Sequence, residues 1–313
     1  MKSEPWNGKL YGYACPGRYG LGHSMLAWAR CFLWCRDNEV PMLAPRWLYF
    51  RLGPYLRHEM DKRTYHKLFR KDTYIHGIHR WWLLGKAKRF TEHQAAEAKL
   101  EQGRRIVVFR NDGANNTRFF RAIFGRHEEV RLELLRIARP DHIPVETIHE
   151  PFIGIHVRMG DFTRVSDPSI LHTTNNVQLP LDWYRDILVS IRRHVAGNLH
   201  ARVFSDGNMQ LLAPLLELPN VSLVNPRSAL YDILDLSRAV TLISSGSGFS
   251  MWASYLGQVP RICFPNQRRE YVVTPSAKIG LEPECETGED VPAAFIANIA
   301  DRFHRLSNVK QLL

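Results

Sequence analysis

The stretch FIGIHVRMGDF, residues 152–162, passes directly from an apolar run to a cation, a glycine and a carboxylate. The run FIGIHV is nearly continuous in apolar residues, which is typical of a strand buried on both faces of a parallel sheet. Arg158 follows at the end of this strand, and Gly160 permits a tight turn before Asp161. The stretch therefore predicts a buried strand whose carboxyl end carries charged groups.

Strand-like and helix-like segments alternate through the rest of the second half. Further strands are predicted at HARVFSD, NVSLVN, VTLIS and VPRICF. Helices are predicted at PLDWYRDILVSIRRHV, NMQLLAPLLEL, SALYDILDLSRA, GFSMWASYLG and DVPAAFIANIADRFHRLSN, and Pro214 is expected to shorten the second of them. This alternation indicates an α/β unit built on a parallel sheet.

The first half shows a similar order less clearly. In GRYGLGHSMLAWARCFLWCRDNEVPMLAP, a glycine loop precedes an apolar helix, and VPMLAP predicts a strand. RRIVVFRNDG predicts another strand, and HEEVRLELLRIARP a helix that Pro140 ends. Residues 46–100, rich in cations and aromatic side chains, predict irregular helices and loops.

The expected fold class is therefore α/β, with two Rossmann-like halves and a ligand cleft between them. The predicted domains are residues 1–148, residues 149–290 and a C-terminal helix at residues 291–313.

The formal net charge of +11 is unevenly distributed. Residues 1–150 hold 27 Lys and Arg against 16 Asp and Glu, whereas residues 151–313 hold 15 of each. The basic half is expected to attract an anionic partner, which would be nucleic acid, an acidic membrane surface, or an acidic glycan or lipid-linked substrate. The alternative is a solvated basic face with no specific partner.

Signals for targeting and for metal binding are few. No run of about 18 apolar residues appears, and the first twenty residues lack the apolar core of a signal peptide. We therefore expect a cytoplasmic protein, at most peripheral at the inner face of the membrane. The five cysteines are odd in number and are consistent with reduced thiols. Cys31 and Cys35 predict a small apolar helix face rather than a metal site. His76 and His79 could provide two metal ligands, but no residue near them in the sequence completes a metal site.

Polar residues follow three of the predicted strands. The planar, permanently charged fork of Arg158 suits the oxygens of a phosphate. VFSDG ends in Ser205 and Asp206, whose carboxylate can accept hydrogen bonds from a ribose or a base. LISSGSGFS places a Ser/Gly loop before a helix, and such a helix N-terminus favours an anion. Together these features predict a phosphate site, although each alone is more typical of a turn, a helix cap or a surface ion pair.

These segments resemble, in the same order, the motifs of the fucosyltransferases of the α1,2, α1,6 and protein-O type. HVRMGD resembles their His-x-Arg-Arg-x-Asp motif, VFSDG their second motif, and YDILDLSRAVTLISSGSGFSMWASYLG their third. GLGHSMLAWARCFLWCRDNEVPML, with Gly20 and Gly22, resembles the Gly-Leu-Gly-Asn opening of the α1,2 group. The resemblance covers about residues 15–40 and 150–264, whereas residues 45–145 resemble no known motif.

The resemblance implies a GT-B-like fold, a GDP-sugar donor, inversion at the anomeric carbon, and no metal or other cofactor. It also implies a glycan or lipid-linked oligosaccharide acceptor in surface polysaccharide biosynthesis. Arg158 would neutralise the leaving diphosphate, which Ser247 and the backbone of residues 248–250 would also hold. Either Asp206 or Asp232 would read guanine. The residues expected at the nucleotide sugar are His156, Arg158, Ser205, Asp206, Asp232, Ser245, Ser247, Gly248, Phe249 and Ser250.

Two positions depart from the family pattern. Met159 stands where a second Arg is usual, and His23 replaces the Asn of the glycine loop. These departures put the identity of the transferred sugar in question more than the transfer itself. Besides Arg158, the candidate catalytic residues are Asp161 and His23 as bases, and the ordinary pKa of a histidine, about 6.5, suits that role. The alternative for His23 is a residue that caps or packs the first helix.

Two other functions remain open at this point. One is a catalytically silent nucleotide- or glycan-binding relative, because two motif positions are changed. The other is nucleic-acid binding by the basic aromatic residues 46–90, although no recognition motif supports it and no nucleic-acid partner is expected.

Overall fold

The computed structural model of the chain divides into two compact units, residues 1–142 and residues 143–313. Each unit contains its own all-parallel sheet with helices, which confirms the predicted α/β class. The structure describes residues 9–17, 20–47, 65–111, 120–145, 150–160, 162–165, 167–196, 198–274 and 280–309.

The first unit contains a four-stranded sheet. Its strands are β1 (Leu10–Ala14), β2 (Met42–Leu43), β3 (Lys88–Thr91) and β4 (Arg105–Phe109), in the spatial order β2-β1-β4-β3. Its helices are α1 (Leu21–Asp37), α2 (Gly77–Lys86), α3 (Ala95–Leu100) and α4 (His127–Ile137).

Helix α1 packs tightly against β1. Cys31 and Cys35 are buried, and a Cβ atom on Gly12 would lie 2.2 Å from the Cys35 sulfur. The two thiols therefore fill the space that the missing side chain of Gly12 leaves. All five cysteines are free.

Two local expectations for this unit differ from the structure. Strand β3 lies within residues 46–100, where only irregular helices and loops were predicted. The strand was missed because Phe90 is its one buried residue and the cations beside it hide the strand pattern. Such charges are common on edge strands, since they discourage pairing with other chains. Gly22 lies in the first turn of α1 rather than in the preceding loop, because the helix begins at Leu21.

The second unit contains a five-stranded sheet. Its strands are β5 (Phe152–Val157), β6 (His200–Ser205), β7 (Val221–Leu223), β8 (Thr241–Ser244) and β9 (Arg261–Cys263), in the order β7-β6-β5-β8-β9. Its helices are α5 (Leu181–His194), α6 (Met209–Leu216), α7 (Ala229–Leu236), α8 (Gly248–Gly257) and α9 (Ala293–Val309).

Strand β5 is the centre of this sheet, as its apolar sequence predicts. All six of its residues are buried. A Cβ atom on Gly154 would lie 2.5 Å from Leu236 of α7 and 2.7 Å from Leu242 of β8. Glycine at this position therefore allows helix and strand to approach closely.

Two helices differ from their predicted bounds. Helix α6 continues past Pro214 to Leu216. Helix α9 begins at Ala293, because residues 288–290 form a separate 3-10 turn that Thr287 caps. Within the described residues, no helix combines the length and the hydropathy needed to cross a membrane.

A buried ion pair ties the segment after β9 to the sheet. Arg261 and Glu282 have no exposed side-chain surface, and Nε of Arg261 lies 2.7 Å from Oε1 of Glu282. The other carboxylate oxygen accepts hydrogen bonds from the backbone N–H groups of Val272 and Val273, at 2.8 and 3.0 Å. Removal of one partner from such a pair leaves an uncompensated buried charge.

We expect Glu282→Ala to lower the free energy of unfolding by about 3–5 kcal/mol, because it leaves Arg261 buried and unpaired. Urea denaturation measures this loss. The control is Asp301→Ala, which removes an exposed ion pair with Arg305 and should cost about 1 kcal/mol or less. Equal losses in the two variants would contradict the assigned role of the buried pair.

Candidate functional site

Three polar strand ends meet at one edge of the second sheet. Strand β5 lies between β6 and β8, and its register pairs Val157 with Ser205 and His156 with Ser244. Because all strands run parallel, the segments that follow these residues lie side by side. The carboxyl edge of a parallel sheet is the usual ligand-binding edge of α/β proteins.

Asp206 holds Arg158 and the turn behind it. Nη1 of Arg158 lies 2.7 Å from Oδ2 of Asp206. The backbone N–H groups of Met159 and Gly160 donate to the same carboxylate, at 2.8 and 3.1 Å. About a quarter to a third of each charged side chain is exposed, 29% for Arg158 and 27% for Asp206. A fixed and partly exposed guanidinium can therefore meet an anion from solution.

Gly160 and Met159 fit this turn in opposite ways. A Cβ atom on Gly160 would lie 2.6 Å from the Asp206 carboxylate, so a side chain there would displace the bonded oxygen. The Met159 side chain instead packs against the apolar core and covers Gly207. The position where the family has a second Arg therefore contributes packing here.

The Ser/Gly loop joins β8 to helix α8 with its hydroxyl groups turned inward. Gly246 has a φ of +70°, and a Cβ atom there would lie 2.6 Å from the Gln267 carbonyl, so both conformation and space require glycine. The Ser244 hydroxyl lies 2.7 Å from that of Ser250 and accepts the Gly246 N–H at 3.2 Å. Ser247 is the N-cap of α8.

The start of α8 is a suitable place for an anion. The first N–H groups of a helix have no partner within the helix, and the helix dipole adds positive potential there. Gly248 and Phe249 form this first turn and are partly exposed, whereas the Ser250 hydroxyl is fully buried. An anion would therefore meet backbone N–H groups here rather than the Ser250 hydroxyl.

His156 connects the central strand to this loop. Its Nδ1 lies 2.8 Å from the Ser245 hydroxyl and 3.2 Å from the Ser247 hydroxyl, and its ring stacks on Phe249 at 4.8 Å. Burial, reinforced by the charge of Arg158, lowers the pKa of His156 to about 3. The imidazole is therefore neutral near pH 7 and positions the loop rather than exchanging protons.

A polar pocket of about 290 Å³ lies beside the carboxyl end of β7. It is lined by Arg202, Ser222, Leu223, Val224, Asn225, Arg227, Tyr231 and Asp235. Asp235 is buried and forms an ion pair of 2.5 Å with Arg202, whose guanidinium also lies over the Phe152 ring. The Arg227 guanidinium lies over the Tyr231 ring, 4.7 Å from its centroid.

Asp232 belongs to the surroundings of this pocket. The charged residues that act on it are Asp235, Arg227 and Arg202, all of which line the pocket. Its carboxylate accepts a long hydrogen bond, 3.5 Å, from the Arg227 backbone N–H. Burial raises the pKa of Asp232 to about 6, with Asp235 contributing to the rise. This carboxylate is therefore ionised at pH 7 and less engaged with the chain than Asp206.

The other predicted residues occupy less direct positions. The Ser205 hydroxyl accepts the Gly207 N–H at 2.9 Å and so stabilises the turn after β6. In the first unit, Gly20 is the N-cap of α1 and His23 lies in its first turn, where its carbonyl accepts a hydrogen bond from Asn111. Asp161 lies outside the described residues, and both candidate bases remain predictions.

Sequence reasoning missed several residues of the site. Ser244 and Gly246 were placed in the Ser/Gly loop without individual roles, and the pocket around Arg202 and Asp235 was not anticipated. A signal was present, because Arg202 stands between the buried residues Ala201 and Val203, and a partly buried arginine needs a partner.

The chain matches no family model and no curated protein. One similar solved structure is a mutant of Arabidopsis thaliana FUT1 in complex with GDP, with 13% identity, coverage of 88% of this chain and 76% of that chain, and a TM-score of 0.47. A second is the α-1,6-fucosyltransferase NodZ, known from Bradyrhizobium and co-crystallised with GDP, with 19% identity, coverage of 83% and 96%, and a TM-score of 0.46. A third is POFUT1 in complex with GDP, with 12% identity, coverage of 84% and 99%, and a TM-score of 0.43. NodZ is named as a fucosyltransferase, the class that the motifs of this chain resemble.

His156 should make stability depend on pH. Because its folded pKa of about 3 lies below the ordinary value, the unfolded chain binds a proton here between about pH 6.5 and pH 3 that the folded chain does not. The free energy of unfolding should therefore fall as pH drops through this window, by up to about 1.4 kcal/mol per pH unit.

Urea denaturation at about pH 7 and about pH 5 measures this dependence. His156→Asn should show a shallower fall than the wild type, whereas His304→Asn, at an exposed position of α9, should keep the wild-type slope. The same slope in all three proteins would contradict a buried neutral imidazole.

Proposed function

We propose that the chain is an inverting glycosyltransferase that transfers fucose from GDP-fucose to a hydroxyl group of a glycan acceptor. The observation that carries this proposal is the position of Arg158, fixed by Asp206 at the same sheet edge as the N-terminus of α8. A guanidinium and a helix N-terminus are both suited to the oxygens of a diphosphate. The sequence motifs that these residues form support GDP-fucose as the donor.

The diphosphate would bind between Arg158 and the first turn of α8. His156 ties these two parts together through Ser245 and Ser247, so their spacing is set before a ligand arrives. Positive charge supplied by the protein in this way would allow transfer without a divalent metal.

Asp232 is the residue proposed to read guanine. The N1–H and N2–H₂ groups of guanine form a pair of donors that one carboxylate can accept. Asp206 is poorly placed for this role, because Arg158 and two backbone N–H groups already occupy its oxygens. Asp232 has one long backbone contact and lies beside a pocket whose Tyr231 ring can stack on a base.

The proposed reaction is a single displacement. The acceptor oxygen attacks the anomeric carbon of the sugar, and the bond between this carbon and the donor phosphate oxygen breaks. The electron pair of that bond leaves with GDP, and Arg158 neutralises the negative charge that GDP gains. The acceptor proton goes to a base, for which Asp161 and His23 are the candidates, and a loose transition state reduces the need for a strong one. The basic excess of residues 1–150 supports an anionic glycan or a lipid-linked oligosaccharide of surface polysaccharide biosynthesis as acceptor.

A second candidate is a non-catalytic nucleotide-binding protein. It is favoured by Met159, whose side chain packs on the core where the family has a second cation. Transfer of fucose, or hydrolysis of GDP-fucose, by the purified protein would exclude it.

We expect Arg158→Ala to weaken GDP binding roughly 10–100-fold and to abolish transfer, because a charged hydrogen bond to the diphosphate is lost. Calorimetric titration with GDP in the presence of EDTA measures this change, and binding of guanosine, which lacks phosphate, should be unaffected. Arg185→Ala, on the surface of α5, is the matched control. Unchanged GDP affinity in Arg158→Ala would remove the proposed role.

We expect Asp232→Asn to weaken GDP binding by roughly 10-fold or more. The same substitution should weaken the binding of inosine diphosphate less, because this nucleotide lacks the exocyclic amine. Because the carboxylate must be ionised to accept both hydrogen bonds, wild-type affinity for GDP should also fall as pH drops below about 6. Titrations at several pH values with both nucleotides test this assignment. Equal losses for the two nucleotides would place guanine elsewhere.

A further inference from the structure

Helix α2 of the first unit turns a stripe of large apolar side chains to solvent. Ile78, Trp81 and Trp82 are 80%, 65% and 46% exposed. Their spacing of three and four residues places them on one side of the helix, while Leu83 is buried beneath it. Single exposed apolar residues are common, but a contiguous cluster with two tryptophans usually marks an interaction surface. We call this cluster the α2 face.

Cations surround the α2 face, and acids are absent from its segment. Residues 73–91 contain Arg80, Lys86, Lys88 and Arg89 but no Asp or Glu. Lys88 is paired with Glu101, whereas Lys86 and Arg89 are exposed at the C-terminal end of the helix and beyond. The surface therefore combines apolar bulk with a local positive charge.

The aromatic rings and the cations are interleaved. The Arg80 guanidinium lies 5.1 Å from the Trp81 ring centroid, and that of Arg104 lies 4.5 Å from the Trp82 ring centroid. Arg80 also donates hydrogen bonds to the Ala44 carbonyl and the Tyr13 hydroxyl, at 2.8 and 2.9 Å. These bonds fix the helix on its unit, so the α2 face is presented without further folding.

We propose that the α2 face docks the protein on a bilayer containing anionic phospholipids. Tryptophan is suited to the membrane interface, because its ring is apolar and its N–H group can stay in the polar layer. Ile78 would enter the boundary between headgroups and acyl chains, as apolar side chains of interfacial helices do. Lys86, Arg89 and Arg104 would lie near the lipid phosphates, where positive charge strengthens binding. This inference does not rest on the proposed glycosyl transfer.

The composition of the surface favours a bilayer over a nucleic acid. Ile78, the most exposed of the three residues, has no ring with which to stack. Aliphatic bulk at the most exposed position suits an acyl layer.

Co-sedimentation with vesicles tests this proposal. The probe is a vesicle of phosphatidylcholine and phosphatidylglycerol, compared with phosphatidylcholine alone, at low and high salt. We expect the wild type to bind the anionic vesicles at least about tenfold more tightly, and salt to weaken this binding, because the charge contribution is screened. No preference for anionic vesicles would overturn the proposal.

Variants separate the α2 face from general basicity. The double variant Trp81→Ser with Trp82→Ser should bind anionic vesicles at least about tenfold more weakly, whereas Trp81→Phe with Trp82→Phe should retain most of the binding. The control is Met209→Ser with Leu211→Ser, which removes two exposed apolar side chains of α6 in the other unit. Full binding by the serine variant of α2 would overturn the proposal, as would equal loss in the control.

Two further measurements keep the interpretation separate from folding and from nucleotide binding. The variants should keep the wild-type circular dichroism and unfolding temperature, because the replaced side chains are exposed. They should also bind GDP as the wild type does, so a failure of GDP binding in the wild type would count against the proposed function alone. If the tryptophans were instead needed for binding to transfer RNA and not to vesicles, the surface would be assigned to nucleic acid and the proposal would be wrong.

Discussion

The geometry of the candidate site depends on the interactions of the Asp206 carboxylate. This carboxylate accepts hydrogen bonds from two backbone N–H groups of the turn after β5. Its Oδ2 also lies 2.7 Å from Nη1 of Arg158. Hydrogen bonds of this charge-assisted kind are stronger than neutral ones, so the turn and the cation are fixed together. Gly160 makes this possible because it leaves room for the carboxylate oxygen. A cation placed in advance needs little ordering when an anion binds.

The neutral imidazole of His156 extends this order to the neighbouring strand. It is buried among the Ser245 and Ser247 hydroxyls and the Phe249 ring, where a second positive charge beside Arg158 would be costly. The positive potential offered to an anion therefore comes from Arg158 and the start of α8. A change at His156 would act on the site through the position of the loop rather than through proton transfer.

The two halves of the sequence differ in their charge balance. In residues 151–313, where positive and negative residues are equal in number, charged side chains form pairs such as Arg261 with Glu282 and Arg202 with Asp235. These pairs hold strands and loops around the candidate site. In the first unit, the segment of α2 carries cations without acids beside exposed aromatic rings. Paired charges organise a structure, whereas a local excess of one sign acts on what approaches it.

The sequence by itself determined the α/β class, the central strand β5 and the three polar strand ends, because apolar runs and helical spacing are local properties of a chain. Strand β3 was not predicted from the sequence, because the cations on this edge strand remove the apolar pattern. Only the tertiary structure distinguished Asp206, occupied by Arg158 and the backbone, from Asp232, which lies beside a pocket. Only the tertiary structure also shows that the Met159 side chain packs against the core and that the Trp81 side chain is exposed. Neither choice is encoded locally, because the burial and the hydrogen-bond partners of a side chain depend on segments that are distant in sequence and meet only in the folded chain.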